Sequence, residues 1–378
     1  ASWANSHPLG IFVDMMILYR IWFGLCLLGY VSSCTSSDQA STQPTQAPDP
    51  KDSVANDPEA QLKALNLQIG NQSNDYGLYQ RRSEIYYELD SPAKALIDVN
   101  RALKLYSEGP ELHYWKGFLL YVENDTAAAL QSLRQAQSLG SKNPEIPYQI
   151  GQIFFLQKKY APALVAYRQA AQLNPYDPQY IFAQGYLAEA QNQFDRATTL
   201  YKQSLGIDST FDRALTRLHD VYLEHYENET EAMKHNQALL RYQPGHPLGR
   251  FQEGNYHLRR ALSYTDGSQQ ELFRQHINDA VLAYTITVNR DSNFAQAWYN
   301  RGFCYFLGEG RLNEAIRDFE KAIQKDSTQA PAYFMLGSIM EQNGDLSGAL
   351  ENYQQALAIT PESRDFRKAV EEVEKQIR

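Results

Sequence analysis

Small residues recur along this chain at a nearly fixed interval, set into a polar background. Ser83, Gly117, Gly151, Gly185 and His219 are each 34 residues apart, and Gly254, Gly302 and Gly337 follow after 35, 48 and 35. Twelve or thirteen residues past most of these stands an alanine: Ala95, Ala129, Ala163, Ala197, Ala232, Ala315 and Ala349, with Ala280 later after Gly254. Four residues on there is often a ring (Tyr167, Tyr201, Tyr284, Phe319, Tyr353), and three further a small residue (Ala102, Ala136, Ala170, Ser204, Ala322, Ala356). Spacings of three and four place these residues on one helical face. The pattern predicts two helices per period, drawn close by small residues, with rings one turn away filling the space between them. No such pair can bury its apolar face alone, so neighbours must stack.

Eight units in one phase, over about residues 76–361, resemble the tetratricopeptide repeat, a helix–turn–helix of 34 residues. The resemblance implies an all-α fold: a right-handed superhelix of about eight hairpins over residues 58–361. Each unit then has an A helix carrying the marker residue and a B helix carrying the alanine. Pro147, in "NPEIPYQIGQIFF", falls in the first turn of the third A helix, where a missing N–H does little harm. Two departures carry expectations of their own. His219 is bulky where a small residue is wanted, so the fifth unit should pack less tightly. Unit six, near residues 248–289, has about fourteen extra residues. They predict an elongated hairpin, with helix A to about Tyr264, a turn at Asp266-Gly267, and helix B from a Ser268/Glu271 capping box. Residues 362–378 put Phe366, Val370, Val373 and Ile377 on one stripe, which predicts a terminal capping helix.

The N-terminal segment is of another kind. Residues 1–14 precede the methionine pair Met15-Met16 and read as an upstream extension. From Met16 the chain runs "MILYRIWFGLCLLGYVSSC", with Arg20 ahead of an eleven-residue uncharged run from Ile21 to Val31. This is the layout of a secretory signal, too short for a span of roughly 20 residues. Val31-Ser32-Ser33-Cys34 resembles the lipobox of bacterial lipoproteins, which implies cleavage before Cys34 and its acylation. Residues 35–57 hold no aromatic and no leucine but many Ser, Thr, Gln and Pro, so they cannot bury enough apolar area to order themselves. They would act as a tether reaching roughly 25–30 Å. Thr35, not aspartate, follows the cysteine, which points towards the outer membrane, periplasmic side. Asp52-Ser53-Val54 and Asp125-Thr126-Ala127 resemble the O-glycosylation pattern of Bacteroidetes envelope proteins.

Composition narrows the chemistry. With 35 basic and 44 acidic residues the formal net charge is −9, and no block of one sign stands out, so a phosphate-neutralising face for nucleic acid is missing. The cysteines are three: the lipobox resemblance implies that Cys26 leaves with the signal and that Cys34 is lipidated, while Cys304 takes a place in an A helix where the repeat usually has alanine. Its unit holds no histidine to serve as a base, so Cys304 reads as packing rather than a nucleophile. Phosphate loops, nucleophile elbows and zincin pairs are absent. His219, His225, His235, His246, His257 and His276 crowd units five and six, but none are spaced i, i+4, and no cysteine or paired carboxylate joins them. The sequence therefore assigns no catalytic residue, no metal and no cofactor.

In the tetratricopeptide family, ligands lie on the concave face, built from A-helix positions 2, 5, 9, 12 and 13. Position 5 here is Gln80, Tyr114, Tyr148, Phe182, Thr216, Phe251, Tyr299 and Phe334, six of eight aromatic. Position 9 adds Phe118, Tyr186 and Phe303, and position 12 adds Tyr121, Phe155 and Phe306. The rings gather in units two to four and seven to eight. Tyr114, Tyr148 and Phe182 are expected to form a ladder. No position 5 residue is basic, and only Asn255 is an asparagine at position 9, which argues against the carboxylate clamp of chaperone-binding repeats. Large rigid rings suit a protein or peptide partner. They also stack on sugars, so the expected function is a lipid-anchored envelope scaffold, with a glycan-binding lipoprotein as the alternative.

Overall fold

Proline and short polar side chains mark where the helices begin. Pro58, Pro92, Pro110 and Pro178 each open a helix, where the proline lacks only an N–H that has no helical partner anyway. Asp57 and Asp177 cap two of these, and Asp75, Asp125, Asn228 and Asp345 cap others, by accepting from a backbone N–H of the first turn. The computed structural model describes residues 57–264, 269–308 and 311–378, and every element among them is an α-helix. Cys26, Cys34, the tether and Asp52-Ser53-Val54 lie outside the described residues.

The described residues form two compact units, 57–253 and 254–378. The first begins with a single helix, α1 (Pro58–Asn71). Hairpins follow: α2 (Tyr76–Glu88) with α3 (Pro92–Leu105), α4 (Pro110–Val122) with α5 (Thr126–Ser138), and α6 (Glu145–Leu156) with α7 (Tyr160–Leu173). Then come α8 (Pro178–Glu189) with α9 (Phe194–Ile207), α10 (Asp212–Glu224) with α11 (Glu229–Tyr242), and the first half of α12 (Pro247–Leu262). The second unit holds the rest of α12, α13 (Gln270–Arg290), α14 (Ala295–Leu307) with α15 (Leu312–Lys325), α16 (Ala330–Gln342) with α17 (Leu346–Ile359), and α18 (Arg364–Ile377).

Six of the hairpins turn through one residue of left-handed backbone. Asp90, Asn124, Lys158 and Asn192, at φ between 52° and 62°, repeat the 34-residue period, and Glu227 and Gly344 do the same in later units. In most hairpins the marker glycine admits a neighbouring ring, and Gly117 admits Leu133 instead. A Cβ on Gly151, Gly185, Gly254 or Gly337 would lie 2.5–2.7 Å from the ring of Tyr167, Tyr201, Tyr284 or Tyr353. That contact is why the glycine and the B-helix aromatic recur together: the missing side chain of one is the seat of the other.

Where the marker changes, its counterpart changes too. In the first hairpin buried Val99 holds the place of the ring, and the Ser83 hydroxyl donates to Ala95 O (2.9 Å) and accepts from Trp115 Nε1 (2.8 Å). His219 is buried, 2% exposed, and the B-helix place of the ring is held by fully buried Asn236, which donates to Gly249 O at 2.9 Å. Large and small have exchanged helices in the fifth hairpin, which keeps both positions dry. The histidine's cost is polar rather than steric, because Nε2 of His219 is buried without a hydrogen-bond partner.

Unit six holds the longest helix among the described residues, α13 of 21 residues, and its details differ from the expected hairpin. Helix α12 ends at Leu262, Asp266-Gly267 and Ser268 lie outside the described residues, and Gln269 rather than Ser268 precedes α13 without a side-chain cap. At the C-terminus Ser363 caps α18 by accepting from Phe366 N, and Phe366 and Val373 are buried against the last hairpin while Ile377 stays half exposed.

Candidate functional site

The A-helix rings divide into those that pack and those that face water. Tyr148, Phe182 and Tyr299 are core residues, 8%, 4% and 3% exposed. Each lies on the ring that covers its own unit's glycine: Tyr148 on Tyr167 at 5.9 Å, Phe182 on Tyr201 at 5.2 Å and Tyr299 on Phe319 at 5.7 Å. Phe334 repeats the contact with Tyr353 at 5.2 Å and is closed off by Phe366 of α18 at 5.0 Å. Interplanar angles of 34–43° in all four show one packing device used four times. The expected ladder through Tyr114, Tyr148 and Phe182 is therefore not what forms. The ring neighbours of Tyr148 are Tyr167 and, at 5.5 Å, Tyr180, because position 5 points at the partner helix of the hairpin.

Tyr114 and Tyr121 are half-buried beside the Leu133–Ile150 core. Burial, reinforced by Glu145 and Glu111, raises the Tyr114 phenol to about 12. Phe118 stacks on Trp115 at 5.1 Å and meets Tyr87 edge-on at 5.1 Å. Phe303 and Phe306 flank the core of the second unit, with Phe303 stacked on Tyr299 at 6.4 Å.

What forms instead is a diagonal. Phe155, near the end of α6, lies 5.4 Å from Tyr186 of α8, and Tyr186 is stacked 6.3 Å from Phe182. Tyr186 is the most open of these rings, at 37% exposure. Exposed Arg213, in the first turn of α10, sits 4.7 Å above the Phe182 ring. It also acts on Tyr148, whose phenol is raised by burial and drawn back down by this guanidinium. Among the described residues Arg213 has no carboxylate partner.

Arg217, one turn on, is the opposite case. It is bonded to both oxygens of Glu189 and to Asp220 at 3.1 Å, while Tyr201 donates to Glu189 at 2.5 Å and Gln252 to Asp220 at 2.8 Å. Glu224 lies at the edge of this network, and burial followed by the charge of Asp220 raises its carboxyl to about 7. The patch thus joins a half-buried and an open ring, one cation without a carboxylate, and a partly buried acidic network. Arginine at this place was not singled out from the sequence, since it sits at position 2 rather than 5.

Cys304 is fully buried, and burial alone pushes its thiol far up, as a packing residue requires. Asp125 caps α5 by accepting from Ala128 N at 3.0 Å, so helix capping accounts for the Asp125-Thr126 pair. Asn255 accepts from Tyr284 Oη (2.7 Å) and Asn300 Nδ2 (2.8 Å), which engages it inside the second unit. No helix among the described residues is long and apolar enough to cross a membrane.

Hairpins of this length, most of them closed by a glycine under a ring, define a helical-repeat protein. Two tetratricopeptide-repeat family models match, one over residues 81–144, 119–178 and 269–330 and the other over 306–372, together just over half of the chain. The chain belongs to the tetratricopeptide-repeat family. It is 32% identical over 108 residues to Hsp70-Hsp90 organizing protein 3 of Arabidopsis thaliana and 31% identical over 113 residues to Hsp70-Hsp90 organizing protein 1 of Glycine max. These matches cover 28% and 29% of this chain, and they span only about a fifth of the relatives' own length (19% and 20%). Among solved structures, a monomeric mutant of IFIT1 with Gppp-AAAA superposes at a TM-score of 0.53 with 17% identity, covering 86% of this chain and 79% of that one. The human IFIT1 dimer with PPP-AAAA gives 0.51 at 17%, covering 86% and 79%. Identity this low speaks for the fold alone.

Proposed function

We propose that this protein is an adaptor of the bacterial cell envelope, anchored through an acylated Cys34, that holds a protein or peptide partner on the A-helix face of α6, α8 and α10. The observation that carries the reading is the diagonal Phe155–Tyr186 beside Arg213, one half-buried and one open ring next to a cation without a carboxylate. Such a surface suits an extended segment with an apolar side chain for the rings and an acidic group for the guanidinium. Membership of a repeat family, and relatives named as organizing proteins, support a binding role.

The anchor rests on the lipobox resemblance and the polar tether that follows it. Acylation of Cys34, with Thr35 next, places the adaptor on the outer membrane facing the periplasm. Pull-down from envelope extracts with the purified chain and with Arg213→Glu tests the binding role. A partner retained by the native protein and lost by the variant supports it. Retention on isolated cell wall, with no protein captured, would replace it with the glycan-binding reading.

A further inference from the structure

Histidine in unit six is closer to a metal site than its spacing suggests. Hairpin closure brings His257 of α12 to His276 of α13, with the two Nδ1 atoms 2.9 Å apart. Asp279, one turn beyond His276 on the same helix face, puts Oδ2 3.8 Å from Nδ1 of His257. One ligand atom from each of the three lies within 4.8 Å of the others. We propose that His257, His276 and Asp279 bind a borderline divalent transition-metal ion of the Zn²⁺ type.

Two imidazole nitrogens and one carboxylate oxygen, with a fourth position left to water, form a donor set suited to zinc and poorly suited to magnesium or calcium. Zinc–nitrogen bonds of about 2.0–2.1 Å in a tetrahedron put the two nitrogens roughly 3.3 Å apart, so the rings need to part only by a few tenths of an ångström. The carboxylate has further to come, and it can: the Asp279 side chain is 42% exposed and that of His257 22%, which also leaves an entry path. Ring orientation is already set. Tyr264 stacks on His276 at 5.7 Å and 14°, and Tyr256 meets His257 at 5.3 Å and 74°.

The position in the fold supplies a reason for a clip. Every other B helix begins three residues before its alanine, whereas α13 begins ten before Ala280. The seven added residues, 270–276, extend the hairpin by about two turns, and His276 is the last of them. A metal bridging His257 to His276 and Asp279 would fasten the root of this extension to α12.

The test uses the full chain, stripped with a chelator and titrated with ZnCl₂ by calorimetry. The native protein is expected to take up one ion per chain with an apparent Kd on the order of micromolar or tighter, and to melt higher with zinc than without it. His276→Gln should weaken uptake by at least about tenfold and remove the zinc-dependent rise in melting temperature. If that variant melts low in the absence of metal, Asp279→Asn, altering an exposed side chain, decides in its place. Uptake that survives both substitutions, or native affinity no better than millimolar, would overturn the site and leave the pair as a hydrogen bond between neutral imidazoles.

Discussion

The ring of Tyr167 occupies the space where a side chain on Gly151 would begin: a Cβ there would lie 2.5 Å from its Cδ1 and Cε1. Tyr148 then packs on the other part of the same ring at 5.9 Å. The glycine, the B-helix ring and the position-5 ring are one packing unit, and the first prediction follows. Gly151→Ala should lower stability by about 1–3 kcal/mol through overpacking. Gly206→Ala, in a helix with nothing within 4 Å, should instead raise it by about 0.5–1 kcal/mol. Thermal melting of the two variants side by side checks the pair, and equal effects of either sign would refute the account.

Lys158 turns the third hairpin at φ 56°, a conformation that costs a residue with a Cβ roughly 1–2 kcal/mol. Lys158→Gly should therefore stabilise the protein, by about 0.5–1 kcal/mol after glycine's extra unfolded-state entropy is subtracted. The same substitution at Lys142, whose backbone is ordinary, should give no gain, and the comparison can be made by urea titration.

The carboxyl of Glu224 rises from an ordinary 4.5 to about 7, first through burial and then through Asp220. As pH climbs from 4.5 towards 7 the unfolded chain gives up this proton before the folded chain does. Stability from this group is thus full below about pH 4.5, falls across that window, and stays reduced above it. Because the side chain also reaches solvent, the effect should amount to no more than about 1 kcal/mol. Glu224→Gln is expected to melt higher than the native protein at pH 8 and level with it at pH 4. A gain of equal size at both pH values would point away from ionisation.

Much of the fold could be read from the sequence, because Gly151 and Gly185 repeat in step with Tyr167 and Tyr201 and in each pair the ring fills the space the glycine leaves. The surface was harder to read. Positions 5 and 9 lie one turn apart on the same helix, and both carry rings, yet Phe182 is core and Tyr186 is open. Only the partner helix decides which is which, as Tyr201 does by covering Gly185 and taking Phe182 with it. The histidine pair was hidden for a related reason. His257 and His276 are 19 residues apart on two helices, so their meeting depends on where the hairpin closes.

That division between Phe182-like and Tyr186-like rings gives the last prediction its edge. Tyr148→Ala removes a ring that is 8% exposed and touches Tyr167 and Tyr180, so it should cost about 3–5 kcal/mol of stability by leaving a cavity. Tyr186→Ala removes a ring at 37% exposure and should cost far less in stability, with the loss falling on the partner instead. If the diagonal is the binding surface, its affinity should drop by about 1–3 kcal/mol, as for an aromatic anchor. Melting and pull-down on both variants separate the roles. A Tyr186→Ala protein that melts with the native one and keeps every partner would show that binding lies elsewhere, with the half-buried Phe303 and Phe306 of the second unit next to be tested.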